Sequence, residues 1–363
     1  MKTLRKGVAV AAALAFSLTI TACGSNGEST DAPSSDSSLS GDLHGQGASS
    51  MGAAQETWIS DFQSANPNVT VNYAPEGSSA GIKAMTEGSA NFGGSDAYMD
   101  DEEMAQTHPN CGEGGVINLP VYISPIAIAY NLEGVDELNL TADVIAKIFK
   151  GDINKWNDPA IAELNSGVEL PDLAITPVHR GDGSGTTENF TDTLSKVAPD
   201  VWTYEPSKEW PAELNNGEAA QKTNGVASAL SSGQGYIGYI DASGVTKELK
   251  TVNYAPKAGG EFVGATAEDA AKVVENSKKV DGRAENDYSI DPDRNAAGYP
   301  FVLIAYAMAC QTYTDASTGE LVNAYLSYVV SEEGQQAAHD EVMSAPLSGT
   351  LAENVRKAAA SIK

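Results

Sequence analysis

The stretch LAITPVHRGDGSGTTENFTDTLSKV, residues Leu173–Val197, contains the transition that decides the fold. Its first eight residues have strand character, and TTENFTDTLSKV, at its end, has the spacing of a helix. The three glycines of the intervening GDGSG let the backbone turn sharply and approach other groups closely. A strand that passes through a short loop into a helix is the repeating unit of α/β proteins.

Strand-like and helix-like segments alternate along the rest of the chain. The predicted strands are VTVNYAP (69–75), VINLPVYISPIAIAYN (116–131), GYIGYID (235–241) and YPFVLIAYAMA (299–309). Helices are predicted within GSSAGIKAMTEGSA (77–90), in TADVIAKIFKG (141–151), where Thr141 is the expected cap, and at the C-terminus. This alternation predicts an α/β protein with parallel-type connections, and the sequence contains no internal repeat.

The N-terminus has the features of an export signal. Lys2, Arg5 and Lys6 precede an uncharged apolar run of 13 residues, VAVAAALAFSLTI. That run is too short for a membrane span and suits the core of a signal peptide. It leads into ITACG, which resembles the bacterial lipobox, so residues 1–22 are predicted to be a lipoprotein signal peptide and Cys23 the acylated residue. An ordinary secretory signal cleaved nearby is the alternative.

The next segment and the overall charge indicate an exported, acidic protein on a tether. Residues 24–40 hold seven serines in 17 residues, which predicts a flexible tether over residues 23–40. Removing the signal takes three positive charges away and moves the formal net charge from −27 to −30. Such a surface argues against nucleic acid as a partner. The mature chain is expected to be anchored to the membrane without spanning it.

Two cysteines remain after the predicted anchor, Cys111 and Cys310. An even pair in an exported protein favours a disulfide. Two isolated buried thiols are the alternative. We therefore predict a bridge between them.

Three segments combine glycines and hydroxyl residues just before predicted helices: GQGASSMG (45–52), EGSSAG (76–81) and GDGSGTT (181–187). The first N–H groups of a helix lack partners inside it and attract anions. One such segment alone is best explained as an N-cap, but three in one exported chain favour an oxyanion site. Arg180 can donate two N–H groups to an oxyanion, and Asp182 is expected to pair with it. The alternative for that pair is a surface ion pair of little consequence.

The sequence lacks the motifs of nucleotide-binding P-loops, nucleophile elbows, metal sites and calcium loops. No lysine follows the glycines as a P-loop requires, and Asp182 and Thr186 occupy the positions where a nucleophile elbow needs glycine. The four histidines are scattered, which argues against a metal site. DPDRNAAGYPFV (291–302) begins like a calcium loop but has Ala296 and Val302 at its sixth and twelfth positions, so we reject that interpretation.

Together these segments resemble a known family. GDGSGTT after VHR, EGSSAGIKAM before FGGSDA, IFKGDINKWNDPAIAELN (148–165) and GQGYIGYI (233–240) occur in the order seen in the substrate-binding lipoproteins of bacterial high-affinity phosphate ABC importers. The resemblance runs from about Gly41 to the C-terminus. It implies a periplasmic-binding-protein-like fold, in which two α/β lobes joined by crossing strands enclose a ligand cleft. The expected lobes are residues 41–125 with 299–363, and residues 126–298.

The resemblance also implies the residues that bind phosphate: Ser49, Ser50 through its amide, Ser78, Asp96, Arg180, Ser184, Gly185 and Thr186. Asp182 is expected to orient Arg180. Ser50 replaces an aromatic residue frequent in the family, which leaves the packing beside it open. In IFKGDINKWNDPAIAELN, the apolar residues have core spacing and are expected to pack without touching the ligand.

The expected function is that of an extracytoplasmic protein, lipid-anchored to the outer face of the cell membrane, that captures phosphate and delivers it to an ABC permease. It is expected to be a non-enzymatic monomer without cofactor or metal. Three alternatives remain: a binder of another tetrahedral oxyanion such as sulfate, an exported phosphatase, and a structural or adhesive surface lipoprotein. A phosphatase needs an activated nucleophile, and His179 is the only histidine near the loop.

Overall fold

Strands and helices alternate along residues 39–363, which the computed structural model describes. The strands are β1 (Gly41–Gly47), β2 (Val69–Ala74), β3 (Phe92–Ser95), β4 (Val116–Asn131), β5 (Leu138–Thr141), β6 (Thr176–Arg180), β7 (Glu218–Ala220), β8 (Tyr236–Asp241), β9 (Lys250–Ala255), β10 (Lys278–Lys279), β11 (Ile290–Asp291) and β12 (Val302–Cys310). The predicted signal peptide (1–22), the acylated Cys23 and nearly all of the predicted tether (23–40) lie outside the described residues.

The helices lie between these strands and at the C-terminus. They are α1 (Gly52–Ala65), α2 (Ser78–Glu87), α3 (Asp101–Ala105), α4 (Ala142–Lys150), α5 (Pro159–Ala162), α6 (Gly185–Val197), α7 (Lys222–Ser231), α8 (Ala267–Glu275), α9 (Ala316–Val329), α10 (Glu332–Val342) and α11 (Gly349–Ala360), with a 3₁₀ turn at Ala242–Gly244. The strands and helices predicted from periodicity are all present. Thr141 is the N-cap residue of α4, but its side chain makes no capping hydrogen bond, so that part of the expectation is wrong.

Ten of the strands form one mixed sheet. The order is β2-β1-β3-β12-β4-β8-β6-β7, with β9 pairing with β4 and β5 pairing with β9. The pairs β1–β2, β1–β3, β6–β7 and β6–β8 are parallel, as expected for strands joined through helices. β12 and β4 run antiparallel to their neighbours in the middle of the sheet.

β4 joins the two halves of this sheet. Its first part pairs with β12 as far as Pro125, opposite Val302, and its last part pairs with β8 from Ile126, opposite Asp241. We call β1, β2, β3 and β12 the first half-sheet, and β6, β7 and β8 the second. The change of partner falls beside the predicted lobe boundary between residues 125 and 126, although the boundaries themselves stay a prediction.

The core follows the apolar pattern of the sequence. All but the last residue of β4 are buried, as expected of a strand covered on both faces. In residues 148–165, Ile148, Phe149, Trp156 and Ile161 are fully buried and Leu164 packs partly buried against the same core. The prediction that this segment packs is therefore confirmed.

Cys111 and Cys310 are joined by a disulfide with a Cα–Cα distance of 4.9 Å. The bond links the segment before β4 to the end of β12, 199 residues later. Among residues 39–363, no helix combines the length and the apolar character that a membrane crossing requires.

Candidate functional site

The predicted site residues lie at or just after the carboxyl ends of parallel strands, and Arg180 is the last residue of β6. Ser49 and Ser50 come after β1, Ser78 after β2 and Asp96 directly after β3. In the second half-sheet, the loop from β6 carries Ser184 to the start of α6. Carboxyl ends of parallel strands are the usual place for ligand sites in α/β sheets. We refer to Ser49, Ser50, Ser78, Asp96, Arg180, Ser184, Gly185 and Thr186 as the Asp96 site.

Asp96 is the centre of this group. Its carboxylate accepts hydrogen bonds from the Ser50 hydroxyl through Oδ1 and from the Thr186 hydroxyl through Oδ2, at 2.7 Å for Thr186. Its amide donates to Ser78 Oγ at 3.1 Å. Burial raises the pKa of Asp96, and the hydrogen bonds from Ser50 and Thr186 and the charge of Arg180 offset part of that rise. Residues that follow strands of both half-sheets thus meet at one buried carboxylate.

Asp182 fixes the orientation of the Arg180 guanidinium through two hydrogen bonds. Its Nε donates to Asp182 Oδ1 at 2.7 Å, and its Nη2 donates to Oδ2. The amide of Lys222 adds a hydrogen bond to Asp182 Oδ1 at 3.0 Å. Burial alone would raise the pKa of Asp182, but the hydrogen bonds and charge of Arg180 outweigh it and the net shift is downward. Because Nη1 donates to none of the described residues, the buried guanidinium retains N–H groups for an anion.

The N-terminus of α6 adjoins Asp96 directly. Ser184 caps the helix, its Oγ accepting from the Thr187 amide at 3.2 Å, so the backbone amides of Gly185 and Thr186 are left without partners inside the helix. A side chain at position 185 would place its Cβ 2.8 Å from both Asp96 Cβ and Ser78 Oγ. Only glycine permits this approach, which brings the positive end of the helix dipole to the carboxylate.

Two hydroxyl groups of the site have O–H donors that are not used within the described part of the protein. Ser78 Oγ and Ser184 Oγ each accept a backbone N–H bond, and neither donates to any residue that the structure describes. Each O–H group is therefore able to donate to a ligand oxygen. Together with Arg180 and the α6 amides, they form a cluster of hydrogen-bond donors near a single buried acceptor, the Asp96 carboxylate.

Ser49 lies apart from the carboxylate. Its Oγ accepts from the Thr223 amide at 3.1 Å and lies 3.0 Å from the Thr223 hydroxyl, at the start of α7. It is half-buried, whereas the rest of the Asp96 site is buried. The structure thus places Ser49 between the first half-sheet and α7.

Three contributors to the site were not predicted from the sequence. Ser50 was expected to act through its amide only, whereas its hydroxyl orients Asp96. The other two are Thr223, which contacts Ser49, and Tyr239. The Tyr239 hydroxyl accepts from the Arg180 amide at 3.0 Å and lies 2.7 Å from Thr187 Oγ1. Thr223 and Tyr239 have no local signature in the sequence, because they reach the site only through the fold.

Neither a cluster of metal ligands nor a histidine that contacts a hydroxyl is found at this site among the described residues. Among residues 39–363, no three His, Cys, Asp or Glu side chains come together as metal ligands would. The imidazole of His179 stacks on Trp210, with ring centroids 4.8 Å apart, and its Nδ1 lies 3.0 Å from the carbonyl oxygen of Arg180. Burial lowers the pKa of His179. His179 therefore packs beside the loop that follows β6.

Comparison with known proteins supplies the family. The model described as PBP superfamily domain matches residues 29–333. Phosphate-binding protein PstS 3 of Mycobacterium tuberculosis (strain ATCC 25618 / H37Rv) is 33% identical over 354 residues, which cover 94% of each chain. The chain belongs to this family of phosphate-binding proteins. A further relative, phosphate-binding protein PstS of Xylella fastidiosa (strain 9a5c), is 30% identical over 332 residues, 91% of this chain and 88% of that protein.

Solved structures agree on the fold of this phosphate-binding protein family. A phosphate-binding protein from Stenotrophomonas maltophilia superposes with a TM-score of 0.67 at 20% identity, covering 87% of this chain and 93% of that one. The likeness confirms the expected periplasmic-binding-protein-like α/β fold. At position 50, where the resemblance implies that an aromatic residue is frequent, this chain has a serine whose hydroxyl donates to Asp96 Oδ1.

Proposed function

We propose that the protein binds inorganic phosphate at the Asp96 site. The observation that carries this proposal is one buried carboxylate surrounded by hydroxyl, amide and guanidinium donors. Donors alone suit any oxyanion, whereas an ionised carboxylate accepts hydrogen bonds and repels bare anionic oxygens. At neutral pH phosphate carries at least one O–H group that Asp96 can accept, and sulfate carries none. The names of the curated relatives, which are phosphate-binding proteins, support the same assignment.

The charge at the site suits a carrier that must release its ligand. Arg180 is the one arginine of the Asp96 site, and Asp182 already neutralises much of it. Helix amides and hydroxyls therefore supply most of the stabilisation of the bound anion. No covalent step is required, and we propose a binding function rather than an enzymatic one.

We further propose that residues 41–125 with 299–363 and residues 126–298 act as two lobes that close on phosphate. The partner change of β4 at residues 125–126 supports the first boundary. Contacts to Asp96 from Ser50 and from Thr186 come from different proposed lobes. A ligand that touches both favours the closed state, which a permease can recognise.

The cellular setting of the proposal rests on the sequence. We propose that the protein is extracytoplasmic, held to the outer face of the cell membrane by a lipid on Cys23, and that it delivers phosphate to an ABC-type permease. The short apolar run and the ITACG segment support the anchor. Cys23→Ser is expected to release the protein from the membrane fraction, whereas wild type partitions with membranes. The monomeric state stays a prediction.

Calorimetric titration of phosphate-stripped protein with phosphate, arsenate and sulfate tests the binding function. We expect saturable binding of phosphate and of arsenate, which also carries an O–H group, and binding of sulfate that is weaker by orders of magnitude. Preferred sulfate binding would assign the site to another oxyanion. Release of phosphate from a chromogenic ester would indicate a phosphatase. Absence of saturable binding to any of the anions would favour a structural lipoprotein.

A further inference from the structure

We propose that Asn189 and Arg294 are a positioning pair that holds the Asp96 site in its binding geometry without touching the anion. The inference rests on the proposed phosphate-binding function and adds two residues to it. Asn189 lies in the second turn of α6, and Arg294 lies in the segment 291–302 that begins like a calcium loop.

Arg294 ties the start of β12 to α6. Its side chain is only 1% exposed, and its Nε donates to Asp192 Oδ2 at 2.9 Å. Nη1 donates to the carbonyl oxygens of Pro300 and Val302, at 2.9 and 2.7 Å. Nη2 donates to Asn189 Oδ1 at 2.5 Å. A rigid, planar guanidinium that makes four hydrogen bonds fixes the position of every group it contacts.

Asn189, which Arg294 fixes in position, contacts the Asp96 site through its side-chain amide. Its Nδ2 donates to the carbonyl oxygen of Asp96 at 2.7 Å and to that of Gly185 at 2.9 Å. Because Arg294 can only donate, Oδ1 must face the guanidinium and both N–H groups must face the two carbonyls. One carboxamide thereby joins the end of β3 to the N-terminus of α6, the two elements that meet at the carboxylate.

A cavity borders this connection on one side. Asp96, Asn189 and Arg294 all line a cavity of about 250 Å³, and all three are buried. The hydrogen bonds from Asn189 Nδ2 bridge the carbonyls of Asp96 and Gly185 directly and so fix their separation. A change in that separation moves the carboxylate relative to Thr186 and to the α6 amides.

Asn189→Asp is the informative substitution because it preserves size and the pairing with Arg294. It removes both N–H donors and places a carboxylate oxygen against the carbonyls of Asp96 and Gly185. We expect the dissociation constant for phosphate to rise about tenfold, within the roughly 2–30-fold range typical of residues that act on a site through others. The ratio of phosphate to sulfate affinity is expected to fall, because the carboxylate that discriminates between them is displaced.

The chain offers a matched control in Asn165. This buried residue donates through Nδ2 to the carbonyl oxygen of Asn139 at 2.9 Å and to that of Ile161, four residues earlier, at 2.8 Å. Gly185 has the same four-residue relation to Asn189. Asn165→Asp makes the same chemical change at a place with no contact to the Asp96 site. It is expected to lower thermal stability while leaving phosphate affinity and the phosphate-to-sulfate ratio unchanged.

The experiment titrates phosphate and sulfate into full-length wild type, Asn189→Asp, Asn165→Asp and Asn189→Ala. The alanine variant removes the donors without adding repulsion, so it covers the case in which Asn189→Asp does not fold. Lower phosphate affinity and a reduced ratio in the Asn189 variants, set against an unchanged Asn165→Asp, support the pair. If the Asn189 variants keep the wild-type ratio and lose no more affinity than the control, the inference is wrong and the proposed function stands. If wild type binds no phosphate, the proposed function is wrong and the inference falls with it.

Discussion

At the proposed phosphate site, Asp96 faces the anion with a carboxylate, and the sign of that interaction depends on a single proton. We propose that ionised Asp96 accepts the O–H of phosphate and repels the bare oxygens of sulfate, so that repulsion of the wrong ligand gives selectivity. Sites built around one ligand hydroxyl can reject analogues that lack it by about 10⁴–10⁵-fold. Ser50 and Thr186 hold the carboxylate in place.

Asp96→Asn is therefore expected to reduce the ratio of phosphate affinity to sulfate affinity, because an amide can donate to either anion. Titration of both anions into wild type and variant measures the ratio. Asp287→Asn is a suitable control, since Asp287 is a fully buried carboxylate that bonds Asn118 and Ser289 instead of the site. An unchanged ratio in Asp96→Asn would remove Asp96 from the discriminating role.

The pH dependence of sulfate binding follows from the same residue. Burial raises the pKa of Asp96, so protonation begins at a higher pH than for an ordinary aspartate. Protonated Asp96 no longer repels sulfate and donates a hydrogen bond. Sulfate affinity is therefore expected to rise as the pH falls through that pKa, and Asp96→Asn is expected to show no such rise.

At the scale of elements, an ion pair connects the loop before α2 to the first residue of α7. Lys222 Nζ lies 2.6 Å from Glu76 Oε2, and both side chains are partly exposed. Lys222 has a positive φ of 61°, and its amide also bonds Asp182. The pair thus links the first half-sheet to the segment that orients Arg180.

We expect this pair to contribute modestly to phosphate binding by favouring closure. Exposed pairs contribute about 0.2–1 kcal/mol, or roughly 1.4–5-fold in the dissociation constant. A double-mutant cycle with Glu76→Gln and Lys222→Gln separates the coupling from the long-range effect of each charge on the anion. The coupling is expected to shrink in high salt. Strict additivity of the two single variants would show that the pair does not contribute.

At the scale of the whole molecule, Asp241 links stability to pH. It is buried at the end of β8, and its Oδ2 has no hydrogen-bond partner among the described residues. Burial raises the pKa of Asp241 to about 6, partly offset by hydrogen bonds from Ser243 and Ser124. The Asp241 carboxyl therefore binds its proton more tightly in the folded protein than in the unfolded chain.

The contribution of Asp241 to the free energy of unfolding is largest below about pH 4 and falls as the pH rises to about 6. With roughly 1.4 kcal/mol per pKa unit, the loss is about 2–3 kcal/mol. Asp241→Asn is expected to reduce the decline in stability between pH 3 and pH 7 by about that amount. Urea unfolding of wild type and variant at a series of pH values checks this. Parallel pH profiles of the two proteins would contradict it.

The strands and helices could be predicted because apolar periodicity is a property of each segment by itself. Alternating apolar residues in VTVNYAP gave β2, and the strand–loop–helix of 173–197 gave β6 and α6. The capping role of the Thr141 side chain failed, because a residue type can favour the N-cap without its hydroxyl reaching an amide. The glycines and hydroxyls of GDGSGTT marked an anion loop for the same local reason.

The sequence by itself determined the order of elements, the glycine that lets α6 approach Asp96 and, through family resemblance, the residues proposed to bind phosphate. Only the tertiary structure decided which of them share hydrogen bonds: that the Ser50 hydroxyl contacts Asp96, that Ser49 faces Thr223, and that Asn189 is held by Arg294. These partners are 46, 174 and 105 residues apart. Periodicity reports the environment of a residue along its own element, whereas contacts at such separations depend on how strands are ordered and packed, which no short stretch of sequence encodes.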